Sequence, residues 1–192
     1  MRYLMLWVIS VCGVSPVYSQ SLVSAAKERL NHVVIYDGSY QQLDYPMGDV
    51  ADSRGVCTDV IIRAYRQLGI DLQQRVHEDM QQHFSSYPDH WGLSQPDSNI
   101  DHRRVPNLEV FFARFGQTLP VTQSAGDYQP GDLVTWRLSG SGRPHIGVVS
   151  DLISTSGNPL IIHNIGWGPQ QNDMLFDHPI SGHYRYHQAI QH

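Results

Sequence analysis

Apolar residues recur at helical spacing through the first part of the chain, and short β-branched runs take over near its end. Residues 21–32, SLVSAAKERLNH, carry Leu22, Ala25, Ala26 and Leu30 at helical spacing. In residues 53–69, SRGVCTDVIIRAYRQLG, Val56, Val60, Ala64 and Leu68 repeat every four residues, and Ile61 and Tyr65 widen the stripe. Gly69 stands where such a helix would end. A short helix is predicted over 76–84, and another over PNLEVFFARFG, with Pro106 in its first turn and Gly116 past its end. Beyond Pro130 the period changes. DLVTW, HIGVVSD and PLIIHNI are separated only by the turn stretches RLSGSGRP and LISTSGN, so successive strands should pair antiparallel. The tail, SGHYRYHQAIQH, predicts a solvated segment or an edge strand. The sum is an α+β domain, its N-terminal helices packed on a small antiparallel sheet.

The opening of the chain modifies that picture. MRYLMLWVISVCGVSPVYSQ places Arg2 before an apolar run from Tyr3 to Val14, with Val17 and Ser19 at the −3 and −1 positions of a cut. This is the layout of a signal peptide over residues 1–19, leaving one domain over 20–192. The run is too short for a permanent membrane anchor, and no later segment is apolar for long enough to cross a bilayer. The expectation is an exported protein, periplasmic or secreted, with no integral membrane segment.

Charge and cysteine usage narrow the chemistry. The formal charge is −5 and becomes −6 once Arg2 is removed, and no Lys/Arg block offers a footprint for nucleic acid. Of two cysteines, Cys12 leaves with the leader, so Cys57 remains as a single thiol that cannot form an intramolecular disulfide. One cysteine builds neither a Cys-rich zinc site nor a redox pair. Among eleven histidines, only His183 and His187 share a ligand-like spacing on one element, so no metal and no cofactor is expected.

Cys57 stands at the first turn of its helix, where unpaired N–H groups and the helix dipole favour a thiolate. A nucleophilic thiol needs a histidine base and a group to orient it. His145 begins a strand after the GSGRP turn, and His163 interrupts the apolar run LIIHNIG, where a histidine serving only in packing is the alternative. NIDHRRVPN, residues 99–107, puts Arg103 and Arg104 side by side: either a solvated loop, or a pair suited to binding a carboxylate. A zinc-protease helix, a G-x-S-x-G elbow, a P-loop and a G-x-G-x-x-G stretch are all missing.

These residues resemble the NlpC-type cell-wall cysteine peptidases, which share a papain-like core. Tyr45, Gly48 and Cys57 match the family's spacing of tyrosine, glycine and nucleophile; PGDLVTW, HIGVV and IIHN come next in the family's order. The resemblance covers about residues 45–166. It departs at VCTD, where related enzymes carry D-C-S-G, and in a longer segment between helix and sheet.

The resemblance implies a papain-like, NlpC-type core and a cysteine hydrolase that cleaves an amide in peptidoglycan stem peptides. Cys57 would attack, His145 would act as base, and His163 would orient it, with Asn164 as the alternative. Tyr45 would line the site. Asp59, which replaces a glycine of the family pattern, counts with Arg103 and Arg104 among the substrate-facing candidates. The rival activities are an N-acetylmuramoyl-L-alanine amidase, a cysteine acyltransferase, and a non-catalytic module that binds peptidoglycan or muropeptide.

Overall fold

Helices come first and strands last, as the change of period requires. The computed structural model describes residues 16–186. The expected leader therefore falls outside the described residues except for positions 16–19, and His187 lies outside them too. The described residues contain four α-helices: α1 (Pro16–Glu28), α2 (Cys57–Gln67), α3 (Leu72–His83) and α4 (Val105–Phe115). A two-residue parallel ribbon, β1 (Ile35–Tyr36) with β2 (Arg54–Gly55), precedes α2. Six further strands form one antiparallel sheet: β3 (Gln117–Thr118), β4 (Leu133–Arg137), β5 (Pro144–Ile153), β6 (Pro159–Asn164), β7 (Pro169–Asn172) and β8 (Ile180–Arg185). Their spatial order is β3-β8-β4-β5-β6-β7. The α+β class and the antiparallel sheet are as expected. No helix among the described residues is long and apolar enough to cross a membrane.

Each helix buries the face that its spacing marked out. Leu22 and Ala26 of α1, Ile61, Ala64 and Tyr65 of α2, and Leu108 and Phe112 of α4 pack against Leu133, Ile146, Val148 and Ile162 of the sheet. Each large aliphatic or aromatic side chain removed from water contributes about 1.5–3 kcal/mol. The opposite sheet face is covered by Tyr128, Met174 and Leu175 over Val134, Trp136, Val149 and Ile161. Alternation along a strand thus serves two apolar layers, which explains why β4, β5 and β6 read as nearly continuous apolar runs.

Helix α3 starts four residues earlier than the 76–84 expectation. Asp71 caps it, its carboxylate accepting the Gln73 N–H at 3.0 Å. The tail departs further from expectation: residues 180–185 form an interior strand between β3 and β4. The polar residues that disguised this strand are satisfied internally. His183 meets Asp132 at 2.8 Å, and Arg185 holds both oxygens of the same carboxylate.

Gly147 sets the spacing between β5 and β6. A Cβ there would stand 2.5 Å from Ile161 Cγ2, 3.1 Å from the Ile162 carbonyl oxygen and 3.2 Å from His163 Cβ. Gly48 is also closely approached: a Cβ there would lie 1.9 Å from the Asp44 carbonyl oxygen. Gly147→Ala should force the strands apart and cost about 1–3 kcal/mol, as overpacking does. Thermal unfolding measures this, and an unchanged melting temperature would contradict the close approach.

Candidate functional site

Cys57 is the first residue of α2 and is 4% exposed. Val56 before it has no side-chain acceptor, so the N-terminus is capped from inside the helix. The Asp59 carboxylate turns back and accepts the Val56 N–H at 2.6 Å. α2 packs on α1, β5 and β6. Burial pushes the thiol's pKa up to about 11, outweighing the neighbouring backbone N–H groups of Ile146, Thr58 and Cys57 itself, which act to lower it. The thiolate expected from the helix start is therefore overturned by desolvation, and the resting group is a thiol.

β5 and β6 carry a relay of hydrogen bonds on the sheet face that holds Trp136 and Ile161, opposite the face of Ile146 and Ile162 on which α2 packs. His145 precedes Ile146, and its Nε2 shares a 2.9 Å hydrogen bond with His163 Nδ1. His163 Nε2 lies 2.8 Å from Asn172 Oδ1 on β7, while the Asn172 amide N–H is directed to Gln170. An amide oxygen only accepts, so His163 donates from Nε2 and its Nδ1 must accept. His145 therefore donates from Nε2, and its Nδ1 keeps a lone pair. Burial drives the His145 pKa down to about 3 and lowers that of His163, so both rings are neutral. Trp136 packs on His145, with ring centroids 5.9 Å apart. The hydrogen bond of His145 runs to His163, and among the described residues none joins it to the Cys57 sulfur.

Tyr36 completes the surroundings. Tyr36 pairs with Gly55, two residues before Cys57, and is near enough for the thiol to act on its phenol. Burial and the neighbouring Cys57 raise its pKa to about 12, so it stays a donor. Arg143, in the turn between β4 and β5, is exposed and near enough for its charge to act on the same phenol.

Four residues expected to face substrate are placed otherwise. Asp59 and Arg103 are buried and bind each other, Nε to Oδ1 and Nη2 to Oδ2, both at 2.9 Å. Arg103 also donates to the carbonyls of Asp37 and Ser39, which leaves it no role for an incoming carboxylate. Arg104 pairs with Asp101 at 3.0 Å and lies 3.9 Å over the Trp91 ring. NIDHRRVPN is thus neither a solvated loop nor a recognition loop: Asp101, His102, Arg103 and Asn107 are a buried polar knot between α2, α3 and α4.

Tyr45 lies edge-on to His77, and the turn it begins is pinned to the start of α3. There the Met47 N–H meets Asp71 at 2.7 Å and the Gly48 N–H meets Gln73 at 2.8 Å. Asn164 accepts the Gly166 N–H at 3.1 Å, so it shapes the β6–β7 turn and does not meet His145. Reading by residue type missed three participants: Tyr36, Asn172 and Arg143. Tyr36 lies in an exposed two-residue strand, and Asn172 in a strand with no apolar pattern. The only signal was for Arg143, which sits two residues before His145.

A family model described as a domain of unknown function, DUF1287, matches residues 23–186. A protein of Escherichia coli (strain K12) described as uncharacterized protein YijF is 52% identical over 166 residues, which cover 86% of this chain and 80% of that one. Among solved structures, NlpC1 from Trichomonas vaginalis aligns with 92% of this chain at 17% identity and a TM-score of 0.48. The chain spans only 46% of that protein.

The buried groups generate two expectations. Arg103→Ala leaves Asp59 as an unpaired buried charge and should cost about 3–5 kcal/mol, while replacing both partners by neutral isosteres should cost less than the sum of the single changes. Urea unfolding of the three variants checks this. The second expectation concerns acid. Burial holds His145 and His102 near 3, against about 6.5 when unfolded. Between these values the unfolded chain binds protons that the fold refuses, so stability is full above pH 6.5 and falls as pH drops toward 3. The slope approaches about 1.4 kcal/mol per pH unit for each such histidine. Thermal melts from pH 7 to pH 4 should show it, and a flat profile would count against neutral buried rings.

Proposed function

This chain belongs to the DUF1287 family, and we propose that it is an exported cysteine hydrolase that cleaves an amide bond in peptidoglycan stem peptides. The observation that carries this proposal is the proton inventory of the relay from Asn172 through His163 to His145. It leaves a basic nitrogen on the histidine whose neighbour, Ile146, shares the core cluster of Cys57. The resemblance of HIGVV, IIHN and PGDLVTW to NlpC-type peptidases supplies the substrate class.

Thiol and imidazole are neutral at rest, so the proton moves as the bond forms. The sulfur attacks the amide carbonyl while its proton passes to His145 Nδ1. Backbone N–H groups at the start of α2 and the Tyr36 hydroxyl are the available donors for the oxyanion. The imidazolium, held by His163, then gives its proton to the leaving amine, which departs and leaves a thioester on Cys57. Water, deprotonated by His145, releases the acid and restores the thiol. A hydrogen bond between thiol and imidazole that tightens only with substrate is the usual behaviour of such pairs. No cofactor enters this scheme.

One observation favours a second reading, in which the chain binds muropeptides without cleaving them. The thiol is protonated and has no direct bond to His145. The two readings separate with purified peptidoglycan. Under the first, the protein releases peptides; Cys57→Ala and His145→Ala abolish release; and His163→Ala lowers it by about 10²–10⁴-fold. Mass spectrometry of the products tells a peptidase from an N-acetylmuramoyl-L-alanine amidase or an acyltransferase. A folded Cys57→Ala variant that works at the wild-type rate would sink the nucleophile assignment.

A further inference from the structure

Asn164, the last residue of β6, uses only one end of its side-chain amide. Its Oδ1 accepts the Gly166 N–H at 3.1 Å, which fixes the flip of the group. Its Nδ2 has no hydrogen-bond partner among the described residues, although the side chain is 0% exposed. Folded chains rarely keep a buried donor in that state, because it loses water and gains nothing. The turn does not require it: an aspartate would accept the same N–H equally well. The NH2 group is therefore the part of Asn164 that the fold leaves unexplained.

Register gives this amide the sheet face that meets α2. Ile162 packs in one core cluster with Cys57, Ile146 and Val148, and alternation along β6 puts Asn164 on the side of Ile162. Val148 pairs with Ile162, and a Cβ on Gly147 would stand 3.2 Å from His163 Cβ, so Asn164 comes level with Ile146. Backbone contacts identify the end of α2 that lies there. Asn164 pairs with Pro169 across the β6–β7 turn, and a Cβ on Gly168 in that turn would lie 3.4 Å from the Val34 carbonyl oxygen. Val34 leads into β1, which pairs Ile35 with Arg54 and Tyr36 with Gly55. Gly55 stands two residues before Cys57. The end of β6, the short ribbon and the first turn of α2 therefore converge. A buried thiol is flanked by helix N–H groups on one side and by an unpaired amide donor of the sheet on the other, which is the arrangement a developing oxyanion needs.

We propose that Asn164 is a catalytic residue whose Nδ2 donates to the oxyanion formed when Cys57 attacks. The proposal rests on Cys57 being the nucleophile. As the carbon–sulfur bond forms, the carbonyl π pair moves onto oxygen, and the Asn164 N–H receives that charge together with the helix N–H groups. When the pair returns, the leaving amine departs with the proton it takes from His145. Asn164 thus acts on the substrate oxygen and not on the orientation of His145.

The test compares two reagents for the same sulfur in the full chain. p-Nitrophenyl acetate acetylates it through a tetrahedral oxyanion that expels p-nitrophenolate. Iodoacetamide is attacked at its CH2 group with loss of iodide, so no oxyanion forms. Peptide mapping follows the Cys57 adduct of each. Asn164→Asp keeps an oxygen for the Gly166 N–H and removes only the donor, whereas Asn164→Ala removes both. The ratio of acetylation to alkylation should fall by about 10²-fold in Asn164→Ala and at least as far in Asn164→Asp. Reading the ratio cancels the change in thiolate fraction that a new carboxylate would cause. A wild-type ratio in folded Asn164→Asp, with iodoacetamide still reacting, overturns the Asn164 proposal and leaves the nucleophile reading standing. A wild-type Cys57 that takes up neither reagent at pH 9 defeats both. With stem peptides as substrate, the same variants should lower kcat and keep KM, and a raised KM at wild-type kcat would again overturn the proposal.

Discussion

One buried ion pair holds together the parts that meet at the thiol. Asp59 caps α2 by accepting the Val56 N–H, and its two oxygens receive both donors of Arg103. Arg103 reaches on to the carbonyls of Asp37 and Ser39, directly after the strand that carries Tyr36. Two segments distant in sequence, the 101–104 turn and the β1 segment, are thereby locked to the helix start that carries Cys57. The pair is worth little as a net source of stability, because two charges had to leave water. Its weight shows when one partner is lost, since the other is then stranded. It acts chiefly as a constraint on geometry.

A similar economy of charge runs through the rest of the fold. Arg63, on the buried side of α2, gathers the Asp49 carboxylate and the carbonyls of Val50, Ala51 and Arg54, which fixes the loop leading into β2. Asp132 receives both Arg185 and His183 and ties β8 to the start of β4. Polar groups inside a protein are costly unless partnered, so a chain that buries so many must place them in closed networks. The consequence reaches the candidate site. Arginines that look free in the sequence are spent on the backbone, and a buried donor left without a partner becomes informative.

The neutrality of the thiol and imidazole has its origin in the same burial. Removal from water raises the pKa of Cys57 and outweighs the three backbone N–H groups that act to lower it. The relay from Asn172 through His163 then matters less for charge than for tautomer: it fixes which nitrogen of His145 carries the proton and which carries the lone pair. Gly147 sits beneath this arrangement, because only a residue without a Cβ lets β6 approach β5 closely enough for the two rings to meet.

Properties carried by local periodicity and residue type were legible along the chain. They include the helical stripes of α1, α2 and α4, the β-branched runs of β4, β5 and β6, and the antiparallel pairing forced by short turns. Cys57 at a helix start, with His145 and His163 on successive strands, belongs with them. Which polar residues are consumed by folding was settled only in three dimensions. Arg103 and Asp59 find each other across 44 positions, Tyr45 goes to a turn held by α3, and Tyr36 is brought near Cys57 by a two-residue ribbon too short to have a period. β8 was hidden for the same reason: its histidine and arginine look solvated until Asp132 meets them. Burial of a polar group depends on a partner brought from far along the chain, and spacing along the chain carries no record of that partner.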